Sequence, residues 1–300
     1  MQGLLLINKP ENKTSYGAVA QIKRITGERR VGHTGTLDPM ATGVLPIFLG
    51  RATALSSYLI EADKTYTAHI KLGVTTDTGD ITGKVLEENS VTVNNDDILN
   101  TLNKFKGKQK QTPPMFSALK KDGVRLYKLA REGKTVDIPK RDIEVFSLKQ
   151  LLPLDENNEF SIETSVSKGT YIRSLCMDIG NKLGCGATLT SLCRTFVSGF
   201  DIQKCVELQK LTSENVKDYI LNEEIAVGHF PEISVTQKQA VRFCNGGQLA
   251  FERLKNAEFE NGKIYRIKFE NIFVGLGIAD TQNSQIAIKC IINDIHLRVF

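Results

Sequence analysis

Hydrophobic positions along the chain follow two periods, one typical of helices and one typical of strands. The helical period places the apolar residues of "SYGAVAQIKRITG" on one face, and Gly27 follows as a helix stop. A period of two in "TYTAHIKLG" places four apolar residues on one face of a predicted strand, namely Tyr66, Ala68, Ile70 and Leu72. The two patterns together predict a chain that contains both helices and sheets.

The same periods predict most of the remaining elements. Helices are expected in "ATALSSYLIEAD", which reaches Ala62, in "DDILNTLNKFKG", capped by Asp96 or Asp97, and in "YIRSLCMDIGNKLG". The alternating segments "DIEVFSLKQL" and "EFSIETSVS" are predicted to pair as strands. Between these groups, we interpret "KGKQKQTPP" as a basic linker and "KKDG" as the turn of a hairpin.

A change of pattern near Phe230 divides the chain. Beyond it follow one short helix, "QKQAVRFCNGG", and several short strands up to Phe300. Strands and helices mix without a regular β-α-β alternation, which favours an α+β fold over a parallel doubly wound sheet. We therefore predict a large domain over 1–230 and a small β-rich domain over 231–300.

Charge is unevenly distributed along the sequence. The 300 residues carry a formal net charge of +5, and 101–150 alone hold thirteen lysines and arginines against five acidic residues. A strongly basic stretch in a mildly basic chain suggests a polyanionic partner such as RNA. A solvated lysine-rich surface is the alternative, because charge alone identifies no ligand.

Several chemistries lack their sequence signatures. The four histidines are widely separated, and no cysteine pair has the spacing of zinc ligands. "GKT" at 133–135 does not complete a phosphate-binding loop, because Lys128 stands where that loop needs a glycine. No metal or cofactor is therefore expected. Without a bilayer-spanning run or an export signal, we expect a cytoplasmic protein with reduced cysteines.

The segment "VGHTGTLDPMATGVLPI", residues 31–47, gathers glycine and proline around one aspartate. Pro39 biases Asp38 towards an extended backbone, while Gly32 and Gly35 permit tight turns or the close approach of a ligand. An aspartate held in such a loop can be a nucleophile, a base or a turn cap. Residue type alone favours the cap, because aspartate before proline is ordinary turn chemistry.

This segment closely resembles the signature of the TruB family of tRNA pseudouridine synthases. Further motifs that resemble the family occur in the expected order, namely "LLLINKP", "DKTYTAHIKLGVTTDTGD", "PPMFSALKKDGVRLYKLAREG" and "SKGTYIRSLCMDIGNKLGCGATLTSLCRTFVSGF". The resemblance implies a pseudouridine synthase catalytic domain over 1–230, with a mixed, mainly antiparallel sheet and a basic tRNA-binding insertion at about 104–134. It also implies a PUA-like RNA-binding domain over 231–300.

The resemblance further implies an isomerase that converts uridine to pseudouridine at position 55 in the T-loop of tRNA. The target base is flipped out, its N1–C1′ bond is broken, and the uracil is rejoined through C5 without a cofactor. An isomerisation consumes no water, so one carboxylate can suffice where glycoside hydrolysis uses two. The implied partner is the T-arm of tRNA, with no membrane and no protein partner, and a monomer is expected.

Residue roles also follow from the resemblance. The family's catalytic aspartate corresponds to Asp38, and the arginine of "GTYIR", Arg173, would keep that carboxylate ionised and aimed through its guanidinium fork. Tyr66 corresponds to the tyrosine that stacks on the target base, although its place on an apolar strand face equally suits a core tyrosine.

Four further positions match residues around the family's substrate. Tyr171 and Leu192 match positions that line the uracil pocket. His33 matches the histidine near the flipped nucleotide, and a structural role is the alternative for a lone histidine. Lys9 belongs to the N-terminal "KP" motif, which we interpret as support for the Asp38 loop.

Two other functions would use the same features. A non-catalytic RNA-folding or RNA-binding protein would use the cleft without turnover, and a guide-RNA-dependent synthase would act inside a ribonucleoprotein. Intact Asp38, Tyr66 and Arg173 favour catalysis, and the basic insertion favours the stand-alone bacterial type. Because the C-terminal domain holds no assigned catalytic residue, its removal is expected to weaken tRNA binding and to spare activity on an isolated T-arm.

Overall fold

The structure is a computed structural model that describes residues 1–60, 63–254 and 258–295. Ala62 at the end of a predicted helix, the last of the four histidines (His296) and the terminal Phe300 lie outside these ranges. The described chain is organised around a ten-stranded sheet and a five-stranded sheet, with two short hairpins beside them.

Six α-helices occur in the described ranges. They are α1 (Ser15–Thr26), α2 (Ser56–Ile60), α3 (Asn95–Lys104), α4 (Leu126–Arg131), α5 (Ile172–Leu183) and α6 (Gln237–Cys244). The strands in the same ranges are β1 (Gly3–Lys9), β2 (Val31–His33), β3 (Thr42–Leu49), β4 (Lys64–Leu72), β5 (Val74–Thr76), β6 (Val85–Glu88), β7 (Gly107–Gln111), β8 (Lys120–Lys121), β9 (Val124–Arg125), β10 (Arg141–Leu152), β11 (Glu159–Val166), β12 (Ala187–Val197), β13 (Phe200–Asp201), β14 (Val206–Glu207), β15 (Glu232–Ser234), β16 (Leu249–Ala250), β17 (Ile264–Phe269), β18 (Ile272–Asp280) and β19 (Gln285–Ile291).

The large sheet has the strand order β14-β1-β3-β12-β4-β11-β10-β7, with β2 paired to β3 and β13 paired to β12. Its β1–β14 and β3–β12 pairs are parallel, and its other pairs are antiparallel. The prediction of an α+β fold with a mixed, mainly antiparallel sheet is therefore confirmed.

Alternate residues of the large sheet enter two different hydrophobic cores. On β1, Leu5 and Ile7 face a core that includes apolar residues of α1, α3 and α5, and we call this side the helix face. Leu4 and Leu6 face a second core on the opposite side. This period of two is the one expected for strands buried on both faces.

The second core joins the two sheets. It contains Leu4, Leu6, Val44 and Phe48 of the large sheet together with Phe273, Leu276 and Ile292 from the C-terminal part. A polar network reinforces the junction, because Gln2 donates to Glu223 and Asn293 at 2.8 and 3.0 Å and Asn293 also donates to Glu223 at 3.1 Å. The C-terminal part is thus packed against one face of the large sheet.

The five-stranded sheet, in the order β15-β17-β18-β19-β16, begins at Glu232 and is accompanied by α6. It has its own core, which includes Ile233, Phe243, Tyr265 and Ile286. The sheet therefore starts just after the predicted boundary at Phe230. The division into domains over 1–230 and 231–300 stays a prediction.

The N-terminus of α3 differs from the predicted one. The cap is Asn94, whose side-chain oxygen accepts from the backbone N–H groups of Asp96 and Asp97 at 2.9 and 3.1 Å. Asp97 completes a capping box, because its carboxylate accepts from the Asn94 N–H at 2.9 Å. The acids predicted as caps therefore lie inside the first turn.

The interpretation of "KGKQKQTPP" as a linker is wrong over Gly107–Gln111. These residues form β7, the edge strand that pairs antiparallel with β10. Lysine at alternate exposed positions suits an edge strand, because it keeps the free edge from pairing with other chains. The predicted hairpin at "KKDG" is confirmed, with Asp122 and Gly123 both at positive φ between β8 and β9.

In the described ranges, no helix combines the length and the apolar character needed to cross a bilayer. All six cysteines are free thiols, of which Cys176 and Cys185 are buried and the others are half-buried.

Candidate active site

Asp38 and Arg173 form an ion pair on the helix face of the large sheet. The distance from Arg173 Nε to Asp38 Oδ2 is 2.8 Å. Arg173 lies in the first turn of α5 and its side chain is 4% exposed, whereas the Asp38 side chain is 36% exposed. A fixed, buried cation thus holds a carboxylate that a ligand can reach.

The Arg173 guanidinium also joins two other segments of the chain. Nη1 donates to the Thr78 carbonyl and Nη2 to the Phe116 carbonyl, both at 2.8 Å. Nε lies 3.8 Å from a second carboxylate, that of buried Asp80. One side chain therefore connects the Asp38 loop, the turn between β5 and β6, and the basic segment after β7.

Side chains also bind the backbone on each side of Asp38. The buried Ser15 hydroxyl donates to the Leu37 carbonyl at 3.0 Å and accepts from the Leu37 N–H at 2.8 Å. The buried Lys9 ammonium donates to the Pro39 carbonyl at 3.2 Å and to two other carbonyls of its own segment. The interpretation of Lys9 as support for the loop agrees with these contacts.

Burial and neighbouring charges act on the titrating groups of this centre in opposite directions. Burial raises the pKa of Asp38, and the nearby Asp80 charge adds to this, whereas the Arg173 charge and hydrogen bond lower it. Burial lowers the pKa of Lys9 to about 8, although the Asp38 charge opposes that shift. The Asp38 carboxyl is therefore easier to protonate than an ordinary aspartate.

Tyr66 and Leu192 lie on neighbouring strands of the helix face. Leu192 on β12 pairs with Ala68 on β4, two residues beyond Tyr66. Both side chains are buried in the same core as Leu37 and Met40, which flank Asp38 in sequence. Tyr66 and Leu192 thus lie on the sheet face that also carries the Asp38 loop, and Tyr66 is at the same time a core tyrosine.

Tyr171 precedes α5, and its backbone is held by the Gln111 side chain. The Gln111 amide accepts from the Tyr171 N–H at 2.8 Å and donates to the Tyr171 carbonyl at 3.0 Å. Burial raises the pKa of the half-buried Tyr171 hydroxyl. The edge strand β7, which ends at Gln111, therefore fixes the residue just before Ile172 and Arg173.

His33 ends β2 and pairs with Ile47 on β3. Burial, followed by the nearby Arg194 charge, lowers the pKa of its imidazole, so the ring is neutral at pH 7. Its Nδ1 atom is buried and has no hydrogen-bond partner within the described part of the chain. His33 therefore offers a neutral, planar ring on the strand that leads to Asp38.

Comparison with known proteins identifies the family. The description "TruB family pseudouridylate synthase (N terminal domain)" matches residues 23–172, and "tRNA pseudouridylate synthase B C-terminal domain" matches 173–233. The chain is 42% identical over 282 residues to tRNA pseudouridine synthase B of Clostridium perfringens (strain 13 / Type A), which covers 93% of this chain and 96% of that relative. The chain belongs to the TruB family. It is therefore a pseudouridine synthase, an isomerase.

A second relative and two solved structures agree with this membership. The tRNA pseudouridine synthase B of Clostridium novyi (strain NT) is 42% identical over 287 residues, covering 95% of this chain and 98% of that relative. A chain in the crystal structure of a Cbf5–Nop10–Gar1 complex has a TM-score of 0.74 at 26% identity, covering 97% of this chain and 85% of its own length. A chain in the crystal structure of the archaeal box H/ACA sRNP Nop10–Cbf5 complex has a TM-score of 0.71 at 26% identity, covering 97% of this chain and 86% of its own length. The predicted pseudouridine synthase fold is confirmed.

The glycines of this TruB family signature are required by the packing of Arg194 and its strand. A Cβ on Gly43, where φ is +103°, would lie 2.2 Å from the Arg194 carbonyl oxygen of the paired strand. A Cβ on Gly35, where φ is +68°, would lie 3.1 Å from the Arg194 guanidinium. These two glycines make room for the protein's own strand and side chain.

Asp80, Ser15 and Gln111 were not predicted from the sequence. Asp80 closes the quoted "TTDTGD" motif, so the resemblance already pointed to its segment. Ser15 and Gln111 gave no local signal, because their partners lie far away in sequence. Among the described residues, no group of three or more potential ligands could hold a metal ion.

Proposed function

We propose that the chain converts uridine to pseudouridine at position 55 in the T-loop of tRNA, and that Asp38 is the catalytic residue. The observation that carries this proposal is the 2.8 Å ion pair between buried Arg173 and accessible Asp38 in a member of the TruB family. The relatives named tRNA pseudouridine synthase B support tRNA as the substrate.

The reaction rearranges one nucleoside without a net change in composition. The N1–C1′ bond breaks, a C5–C1′ bond forms, C5 loses a proton, and N1 gains one. No water is consumed, so the centre needs no second carboxylate to activate one. Asp38 is the group placed to react, whether it attacks C1′, attacks the base or assists formation of a glycal.

Arg173 supplies the electrostatic half of the centre. Because burial raises the pKa of Asp38, an unpaired carboxyl at this place would tend to hold a proton. The Arg173 charge offsets this and points the carboxylate at the open side of the site. Tyr66 is proposed to stack on the target base and to move a proton.

The remaining predicted residues are proposed to receive the flipped nucleotide. Tyr171 and Leu192 line the uracil pocket, and Lys9 supports the loop from below. The neutral ring of His33 is suited to fill the place that the base vacates, because a planar uncharged group stacks without desolvating a charge. Extrusion of a loop base costs about a few kcal/mol, which such contacts offset.

The surface charge supports RNA binding by the basic insertion at about 104–134. Every lysine and arginine in this range is exposed. We propose that these side chains contact phosphates of the T-arm and that a PUA-like domain over 231–300 contacts the tRNA away from the target base. The protein is proposed to act in the cytoplasm as a monomer without a protein partner.

The test is incubation of the purified chain with an unmodified tRNA transcript, followed by mapping of pseudouridine. We expect one pseudouridine, at position 55, and none with a transcript that carries cytidine there. Modification elsewhere, or none, would contradict the proposal. The Cbf5 structures favour one alternative, a synthase that needs protein partners, and conversion by the purified chain alone excludes such a requirement. RNA refolding without pseudouridine would favour a non-catalytic RNA-folding protein.

A further inference from the structure

Arg194 is the largest side chain that is fully buried in the described part of the chain, at 1% exposure. Its Nε donates to the Val44 carbonyl at 2.8 Å, and its Nη2 donates to the Gly35 carbonyl at 3.0 Å. Among the described residues, no carboxylate lies within 4 Å of the Arg194 guanidinium nitrogens. A buried guanidinium is costly, so one held by backbone carbonyls needs a compensating role.

The position of Arg194 in the sheet places it beside the candidate active site. It pairs directly with Gly43 on β3 and with Tyr66 on β4. Directly opposite residues of a sheet project to the same face, so Arg194 and Tyr66 are side-by-side neighbours. The Arg194 side chain thus starts next to Tyr66, and its guanidinium reaches Gly35, which lies in the loop between His33 and Asp38.

We propose that Arg194 is a positioning residue that fixes the Asp38 loop relative to Tyr66. This inference rests on the proposed function, because it assigns the two connected groups to one reaction. Gly35 and Gly43 make this arrangement of Arg194 possible. Gly43 lets β3 approach β12, and Gly35 leaves the space that the guanidinium occupies.

The hydrogen bonds explain why lysine would not replace arginine here. A planar guanidinium donates from two separated nitrogens in fixed directions, so it can bond Val44 and Gly35 together. An ammonium is a single point on a flexible stem and would reach one carbonyl at a time. Arg194→Lys therefore retains a positive charge and loses the link to the loop.

The neighbouring imidazole gives a readout that does not depend on activity. The Arg194 charge contributes to the lowered pKa of His33, after the larger effect of burial. In the described chain, Arg194 is the charged group that acts on this ring. Arg194→Gln should therefore raise the pKa of His33, whereas Arg194→Lys should leave it lowered.

The test is a double-mutant cycle of Arg194→Lys and Gly35→Ala. We expect each variant to lower the single-turnover rate constant at saturating enzyme about 30-fold, with the tRNA Kd within about threefold. Because both changes break one link, the double variant should be little slower than either single variant. Ser161→Ala, which removes the acceptor of the Leu152 N–H between β10 and β11, serves as the stability control and should keep the wild-type rate.

Three results would overturn the proposal. These are wild-type rate constants in both variants, additive losses in the cycle, and a rate loss in Ser161→Ala as large as theirs at a comparable fall in folded fraction. If Arg194→Lys does not fold, Gly35→Ala tests the link from the loop side alone. The His33 titration, followed by NMR with His33→Asn for assignment, must show the rise in Arg194→Gln. Absence of pseudouridine with the wild type would defeat the proposed function and leave this titration unaffected.

Discussion

The Asp38 loop and the basic insertion at about 104–134 are built in opposite ways. The loop is bonded from both sides by Ser15 and Lys9, and Asp38 itself is bonded by Arg173. In the insertion every lysine and arginine is exposed, and Leu126 is its largest fully packed apolar side chain. The Asp38 loop is therefore held in one geometry, whereas the basic insertion mainly presents positive charge to the solvent.

This difference indicates which region should control the reaction rate and which should control the tRNA affinity. A reacting group must be held in one place, so the loop is fixed by several hydrogen bonds from buried side chains. Phosphate binding depends on the number of accessible charges and tolerates many geometries. The two regions meet at Arg173, whose Nη2 donates to Phe116 in the insertion. Substitutions in the loop should change the rate, and substitutions in the insertion should change the affinity.

The largest effect is expected at the reacting carboxylate. Asp38→Asn keeps the shape of the side chain and removes its charge and nucleophilicity, so product formation should fall at least about a thousandfold. Pseudouridine formed under single-turnover conditions measures the loss. Near-normal product from this variant, with deamidation excluded by mass spectrometry, would remove Asp38 from the chemistry.

Arg173→Lys should have the second largest effect. A lysine retains the charge but cannot bond Asp38, Thr78 and Phe116 together, so the rate constant should fall about a hundredfold. Thermal unfolding provides the control, since a folded variant must be compared. An unchanged rate constant would make Arg173 only a structural residue.

Neutralising part of the insertion should change affinity by a smaller factor. Replacing Lys108, Lys110 and Lys120 with Gln should weaken tRNA binding about tenfold and reduce the salt slope by roughly 0.7–0.9 for each phosphate that is no longer neutralised. Binding titrations over a range of salt concentrations give both quantities. The matched control replaces Lys204, Lys210 and Lys217, which are also exposed but lie in residues 201–224, where six acidic residues outnumber these three lysines. Equal effects in both triple variants would show that only net charge matters.

The smallest effect is expected at Asp80. Asp80→Asn removes one partner of Arg173 and should cost about 1 kcal/mol, roughly a fivefold loss of rate. It also removes a charge that raises the pKa of Asp38. Activity requires ionised Asp38 and falls as the pH drops through that pKa, so the acid limb should move to lower pH. A pH–rate profile measures this, and a shift to higher pH would contradict the assigned charge interaction.

Local sequence patterns predicted those elements whose secondary structure does not depend on which part of the chain packs against them. The periods of α1, β4 and α5 were visible because each element buries one face whatever covers it. The strand β7 was missed because its alternating lysines indicate an edge only once β10 is beside them. The α3 cap was misassigned because a run of polar residues offers several capping candidates.

The site was predictable from the resemblance and not from periodicity. Residue type alone left Asp38 as a turn cap, and only the family motif assigned it to chemistry. The buried guanidinium of Arg194 and the hydroxyl of Ser15 bind residues distant in sequence, so no local pattern predicted these contacts. The need for glycine at position 43 was likewise not predictable, because it arises from the Arg194 carbonyl of the paired strand.

The structure also changes the expectation for removal of the C-terminal part. Leu4, Leu6 and Phe48 share one core with Phe273 and Leu276, so deletion would expose fully buried side chains of the large sheet. Each such side chain contributes about 1.5–3 kcal/mol by its burial. We therefore expect the truncated chain to lose stability as well as tRNA affinity, which the sequence did not indicate.

The division of rate and affinity between the two regions is tested most directly by a paired measurement on Asp38→Asn and on the Lys108, Lys110 and Lys120 variant. Both receive a tRNA Kd and a single-turnover rate constant at saturating enzyme. We predict that Asp38→Asn binds tRNA within about threefold of wild type and reacts at least about a thousandfold more slowly, whereas the lysine variant binds weakly and reaches the wild-type rate constant at saturation. A lysine variant that stays slow at saturation, or an Asp38→Asn variant with near-normal product formation, would contradict this division.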